Sequence, residues 1–327
     1  MELPESKQRS TDEIRLDRQE RAILDATWSY YHEGLNQNEI AAKLEISRAS
    51  VVNYLSEARK RGYIRVSLDP SIFTDHQLSQ KVAETFGLKQ VSIVPSAGGS
   101  TEERVAKMAA DWLPHLLQKG DRLGVAWGET IFQVSEAASR QTIDDLEVVQ
   151  LVGSYPAAKG FSAEICSAML ARQFSATCVN LHVPLLLSDK ELAHRLLAEP
   201  VIMEQMSAVM NCNKTIFACG TCNEDSHILK TGLMDLEQLD IYKERGVAGV
   251  ICGRLIDEDG NHIPTSVEER MIGITLDQMK GKEMGLLVGS GQTRVAPILA
   301  AIKGGYATHL ATCDDTAKML LERVANE

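Results

Sequence analysis

"NEIAAKLEISRASVVNYLSEARKRGYIRV", residues 38–66, reads as two short helices, a tight turn between them and a basic tail. Just ahead of it, Asn36 can cap a helix, and Glu39 follows three positions later, the spacing of a capping box. Ile40 and Leu44 lie four apart and share a helix face, and Ala41 is small where a second helix must approach. "EIS", 45–47, makes the turn, and Ser47 is a good cap for the second helix. Val51, Leu55 and Ala58 form the inner face of that helix, with Tyr54 beside them. Arg48, Ala49, Ser50 and Asn53 are left pointing outward on its first two turns, where a helix-turn-helix meets base edges in the major groove. Arg can pair with guanine and Asn with adenine in bidentate fashion, and Ser can bond to either. Gln37 and the cations Arg59, Lys60 and Arg61 stand where phosphates would lie, and Ser47 completes the candidate DNA-binding set. A three-helix bundle that binds no DNA shares this spacing; the small residue, the turn, the polar outer face and the basic tail together favour DNA. One departure is Glu45, at a turn position that is often Gly.

Upstream, "RAILDATWSYYHEG" places Ile23, Ala26, Trp28, Tyr30 and Tyr31 near helical spacing and stops at Gly34. Downstream, "GYIRVSL", 62–68, alternates as a short strand suited to a wing. The expected organisation is a flexible tail (1–20), a winged helix-turn-helix (21–69), a helical linker (70–89) and an effector-binding and oligomerisation domain (90–327).

The chain carries a net charge of −11 over 327 residues, yet up to Asp69 it has 11 Lys/Arg against 12 Asp/Glu, so almost all the excess lies beyond. Between Ser47 and Val66, Arg48, Arg59, Lys60, Arg61 and Arg65 face only Glu57. A locally basic strip on an acidic protein can still meet a polyanion, because binding answers to local potential. Aromatic residues, at 5%, are too few for a platform that stacks single-stranded bases. No run approaches the ~20 apolar residues of a membrane span. The polar start "MELPESKQRSTDEIRLDRQERA" has no apolar signal core, and seven scattered cysteines read as reduced thiols, so a cytoplasmic location without membrane contact is expected.

Beyond Gln90, apolar segments alternate with helical patterns. The strand candidates are 90–96, 122–127, 146–153, 214–220, 246–253, 283–290 and 307–313. Helical patterns cover 102–118, 129–139, 161–174, 189–198, 293–303 and 315–325. Continuous apolar strands separated by helices predict an α/β domain with a Rossmann-like, mostly parallel sheet covered on both faces. Ligands of such sheets bind beyond the carboxyl ends of the strands. Three strand-to-helix loops suit an anion: Gly128, Glu129 and Thr130 in "WGET"; Gly153 and Ser154 in "GSY"; and Gly289, Ser290, Gly291 and Arg294 in "GSGQTR". Glu129 would repel a phosphate, so it either points away or meets a sugar hydroxyl. "LIDEDGNHI", 255–263, reads as strand, acidic turn and strand, where Asp257 and Asp259 either accept from ligand hydroxyls or simply form the turn.

Taken together, "WSYYHEGLNQNEIAAKLEISRASVVNYLSEARKRGYIRV", "GLKQVSIVPS", "DRLGVAWGETI", "GVAGVICGRLIDEDGN", "MIGITLDQM" and "VGSGQTRVAPILAAIKGGYATHLATCDDTAKMLL" resemble the SorC/DeoR-type bacterial sugar-responsive transcriptional regulators, over nearly all of the chain after about residue 20. The helix-turn-helix alone is generic; the ordered set of later motifs is specific. The resemblance implies an effector domain related in fold to sugar-phosphate isomerases and CoA transferases, with the acidic turn bordering the ligand. It also implies a homo-oligomer, usually a tetramer of dimers. The expected partners are then a double-stranded operator with symmetric half-sites, a small phosphorylated sugar or polyol, and further copies of the chain. No cofactor is expected.

Other features are set aside. Cys219 and Cys222 form a C-x-x-C with no second pair at zinc spacing, and His182, His227 and His262 have no ligand-like spacing. The G-x-G at 289–291 lacks the third glycine of a dinucleotide fingerprint, and "CDDTA", 313–317, reads as a helix cap. The rival function is a sugar-phosphate isomerase or deaminase with an appended helical domain, with Asp257, Asp259 or Glu129 as base.

Overall fold

The computed structural model describes residues 18–64, 69, 71–74, 76–96, 100–155 and 161–325. The chain divides into two compact units, Met1–Ser67 and Leu68–Glu327. Most of the expected tail and the expected wing strand (residues 1–17 and 65–68) lie outside the described residues.

The smaller unit holds three helices, α1 (Arg18–Tyr31), α2 (Gln37–Lys43) and α3 (Arg48–Lys60). Its core joins Ala26, Ile40, Val51 and Leu55, with Leu44, Ile46 and Tyr54 packed against them. Ile23 and Ala58 are also fully buried. Trp28 and Tyr31 lie in α1 as expected but off its buried face: Trp28 stays 57% exposed. It follows Ala26 by two positions, about 200° round a helix, so it faces away from the core. The α2 capping box forms as the sequence expects. Asn36 Oδ1 accepts from the N–H of Asn38 and Glu39, and Glu39 returns a bond to the Asn36 N–H.

The larger unit is built on seven parallel strands: β1 (Gln90–Val94), β2 (Arg122–Val125), β3 (Glu147–Gln150), β4 (Thr177–Val179), β5 (Lys214–Phe217), β9 (Met284–Val288) and β10 (His309–Cys313). Their order is β1-β10-β9-β5-β2-β3-β4. Strands β6 (Val247–Ile251), β7 (Arg254–Asp257) and β8 (His262–Ile263) form a separate antiparallel sheet. Successive residues of one strand enter opposite cores. Leu286 and Val288 join Leu123, Val125, Val148 and Ile216 under helices Thr101–Leu116, Glu129–Ala137 and Ala163–Phe174. Leu287, Val149, Phe217 and Leu310 join Ile298, Ala317 and Leu320 on the other face. Burial on both faces is why these strands read as continuous apolar runs.

One strand expectation is corrected. Segment 246–253 is not a strand of the parallel sheet. Cys252 (φ 51°) and Gly253 (φ 80°) turn it directly into β7 as a hairpin, since two positive φ values match the right-handed twist of the strands. Within 70–89, expected as a helical linker, helices Ser71–Thr74 and Gln77–Phe86 form, and the second packs on β1 and buries Val82 in the core of the larger unit. Helices Pro200–Met210 and Leu236–Glu244 and strand β4 were not anticipated. In the first, Val201, Met203 and Met210 are exposed, so no clean apolar stripe marks it.

Candidate functional site

In the smaller unit, α2 ends in a Schellman turn. The Ile46 N–H bonds to the Ala41 carbonyl (3.0 Å) and the Glu45 N–H to Ala42 (3.4 Å), with Glu45 at φ 54° in the left-handed position. This turn launches α3. Ser47 caps it, its Oγ accepting from the Ser50 N–H (3.1 Å) and bonding the Ser50 Oγ (2.9 Å). Ser50 is therefore half-buried with its hydroxyl engaged, while Arg48, Ala49 and Asn53 are exposed on the same outer face. Gln37, at the head of α2, accepts from Arg48 Nε at 3.2 Å. Arg59 donates from Nε and Nη2 to the Tyr31 hydroxyl, at 3.0 and 2.8 Å. Lys60 pairs with Glu57 (3.1 Å), and Arg61 lies between Glu57 (3.6 Å) and Glu20 (3.9 Å). Lys60 holds the Glu57 carboxyl below its usual value. Two cations of the basic tail are thus partly neutralised within the unit.

In the larger unit, the connections after β2 step toward β4, while those after β5 step toward β10, so neighbours β2 and β5 flank the topological switch point. Such a crevice is the expected ligand position in an open parallel sheet. A cavity of about 470 Å³ lies there, within the range of small-ligand sites. The loop after β2 gives it Trp127, Gly128, Glu129 and Thr130. The segment after β5 gives Thr221, Asp225, His227 and Lys230; Cys252 and Gly253 of the hairpin and Arg294 after β9 complete it. Arg294 Nη1 donates to the Cys219 carbonyl at 2.9 Å. Gly128 takes φ 109° at the start of helix Glu129–Ala137 and offers no side-chain cap, so first-turn N–H groups there have no intrahelical partner. The Trp127 and His227 rings meet edge-on, centroids 4.7 Å apart. Burial, then the Lys230 charge, lowers the His227 pKa against an opposing pull from Glu129, so its imidazole is neutral at pH 7. Burial pushes the Cys252 thiol up to about 12 and raises Cys219 further, so both are uncharged.

Of the sequence candidates, the cavity brings together Gly128, Glu129, Thr130 and Arg294. Gly153 and Ser154 lie elsewhere, stitched to neighbouring chain by Gly153 N–H to Ile272 O (2.9 Å) and Ser154 N–H to Val183 O (2.8 Å). A Cβ at 153 would come within 2.6 Å of the Pro184–Leu185 backbone, which is why glycine stands there. Gly289 and Ser290 are buried behind the loop, and the Gly291 N–H bonds to Thr316 Oγ1 (2.9 Å). Asp257 closes its own turn, accepting from the N–H of Asp259 (3.0 Å) and Asn261 (2.7 Å); neither Asp257 nor Asp259 lines the cavity. Arg254 is buried against Glu268 (2.5 Å) and the Ile274 carbonyl. The sequence reading missed Trp127, Phe161, Thr221, Asp225 and Lys230, and it set His227 aside. Thr221, Asp225, His227 and Lys230 fall in a segment with no periodic pattern, and only their place after a strand end could have marked them; Trp127 and Phe161 lie at the ends of segments that read as a strand and a helix. Among the described residues, no three His, Cys, Asp or Glu side chains are placed to hold a metal ion. No helix among them is long and apolar enough to cross a membrane.

Comparison with known proteins agrees with both units. The family model Sugar-bind, "Putative sugar-binding domain", matches residues 71–322. The chain is 32% identical to the "Uncharacterized transcriptional regulator YjhU" of Escherichia coli (strain K12), over 91% of its own length and 94% of the relative's. It is 27% identical to the "Deoxyribonucleoside regulator" of Bacillus subtilis (strain 168), over 94% and 99% of the two chains. The full-length sorbitol operon regulator SorC from Klebsiella pneumoniae shares the fold with a TM-score of 0.74 at 21% identity, over 92% of this chain and 98% of that one. With its helix-turn-helix and its switch-point cavity, the chain belongs to the sugar-binding domain family of SorC/DeoR-type transcriptional regulators.

Proposed function

We propose that the protein is a cytoplasmic repressor of a carbohydrate or polyol catabolic operon, and that a small phosphorylated sugar or sugar alcohol in the switch-point cavity sets its grip on operator DNA. The observation that carries this reading is the mixed lining of one cavity. Arg294, Lys230 and the uncapped start of helix Glu129–Ala137 suit a phosphate. Glu129, Asp225, Thr130 and Thr221 suit hydroxyls, and Trp127 offers an apolar ring. Gly153, Ser154, Asp257, Asp259 and Gly289–Gly291 support the surrounding chain.

On DNA, Arg48, Ala49, Ser50 and Asn53 face the bases, and Ser47, Arg59, Lys60 and Arg61 lie along phosphates. One such helix reads few base pairs, so the working form is a symmetric dimer or tetramer on paired half-sites. Effector and DNA then alter each other's affinity by the same factor.

The protein senses its ligand without turning it over. An isomerase or deaminase needs a base at the C1–C2 hydrogens. Asp257 is committed to its turn, while Glu129, Asp225 and His227 line the cavity, and binding without product is what this reading expects.

The test is thermal stabilisation by a panel of pentose, hexose and polyol phosphates beside their unphosphorylated parents, since bound ligand stabilises by mass action. Selective stabilisation by one phosphate, with no product formed, is expected. Equal shifts for phosphate and parent would discard the phosphate, and turnover would establish the enzyme instead.

A further inference from the structure

Five cations lie between residues 43 and 61, and they are held in two different ways. Lys43 pairs with Glu33 (2.5 Å), Lys60 with Glu57, and Arg61 with Glu57 and Glu20. Among the described residues, Arg48 and Arg59 have no carboxylate at ion-pair distance; each is held by a neutral oxygen, Gln37 Oε1 and the Tyr31 hydroxyl respectively. A neutral acceptor orients a guanidinium without cancelling its charge.

Gln37 and Arg48 are eleven residues apart, at the first positions of α2 and α3. Gln37 is half-buried and Arg48 exposed. The bond takes Arg48 Nε and leaves the four N–H groups on the two terminal nitrogens, a planar fork that matches guanine O6 and N7 end-on. Gln37 is not needed as the α2 cap, since Asn36 does that.

We infer that Gln37 is a positioning residue for base reading: it fixes the Arg48 guanidinium in the end-on orientation, and is not merely a phosphate contact. This rests on the reading of α3 as the helix that enters the major groove. An arginine already held in its bound orientation loses less freedom on docking, and that saving is realised only at the base the fork fits.

The experiment uses the full chain and a randomised duplex library. Sites selected by the wild type define the preferred half-site, and competition then measures Arg48→Ala, Gln37→Ala and Gln37→Glu at each position. Arg48→Ala should abolish a guanine preference at one position per half-site. Gln37→Ala should weaken discrimination at that same position about three- to tenfold, over and above the uniform loss from its phosphate contact, with thermal unfolding unchanged. Gln37→Glu should keep the guanine preference, because a carboxylate also accepts from Nε, while lowering affinity for all sequences through its charge. If Arg48→Ala removes the preference but Gln37→Ala weakens every sequence equally, or none, Gln37 does not position Arg48. If Arg48→Ala leaves all preferences intact, the base-reading role of α3 fails and the inference goes with it.

Discussion

Arg294, in the loop after β9, donates a hydrogen bond at 2.9 Å to the carbonyl oxygen of Cys219, in the loop after β5. One terminal nitrogen thus ties together two loops that are 75 residues apart in sequence, while the side chain still lines the cavity. Arg294→Ala should reduce affinity for the phosphorylated effector about 10- to 100-fold, the size of a charge-assisted bond, and leave the unphosphorylated parent nearly unchanged. Arg294→Lys should restore little, because a single ammonium cannot serve carbonyl and phosphate with a fork's geometry. Titration calorimetry on both ligands reads this directly; parallel losses for the two would remove Arg294 from the phosphate subsite.

Glu45 sits at φ 54° in the turn between α2 and α3, a conformation that strains a side chain and suits glycine. Glu45→Gly should stabilise the smaller unit by about 0.5–1 kcal/mol, the relief of a left-handed residue less the extra entropy of an unfolded glycine. Denaturant unfolding of the full chain would show it as a later transition for that unit. Destabilisation would mean that the Glu45 side chain makes a contribution larger than its strain.

Asn53 is exposed one turn into α3, on the face that carries Arg48 and Ala49. Asn53→Ala should relax preference at one base position per half-site by roughly 1–3 kcal/mol without altering the dependence on salt. Selection from randomised duplexes measures it, and an unchanged preference would take Asn53 out of base reading.

His309, in β10, is buried beside Trp112 and shares a hydrogen bond with Thr308 Oγ1 (2.8 Å). Burial, helped by Lys89 and Lys214, lowers its pKa from 6.5 to about 4. The unfolded chain therefore binds this proton more readily than the folded one. The folded state keeps its full stability above pH 6.5 and loses it as the pH falls toward 4, by on the order of 3 kcal/mol at about 1.36 kcal/mol per pKa unit. The stability gap between wild type and His309→Gln should narrow by that amount between pH 7 and pH 4. A gap independent of pH would show that His309 titrates normally.

Much of this architecture could be read from residues close together in the chain. Asn36 with Glu39, Ser47 with Ser50, and the spacing of Ile40, Val51, Leu55 and Ala58 are local patterns, and each formed. Six apolar segments became strands of the parallel sheet because burial on both faces demands an unbroken apolar run. The seventh, 246–253, looks the same in sequence, yet Cys252 and Gly253 turn it back on itself. Cys-Gly is not a familiar hairpin signal, so nothing local separated the two outcomes.

Which loops share a cavity is a different kind of information. Gly128, Lys230 and Arg294 come from three stretches that meet because β9, β5 and β2 are neighbours. The glycine of "GSY" offered the same local chemistry as that of "WGET", but its strand's continuation is stitched to residues 183–185 and 272 instead. Likewise, "RKR" reads as three equal cations until folding brings Glu20 and Tyr31 beside them. Periodicity and capping act over a few residues and are written in the order of the chain. Strand neighbours and ion-pair partners are settled by the burial of surfaces distant in that order, and no local pattern records them.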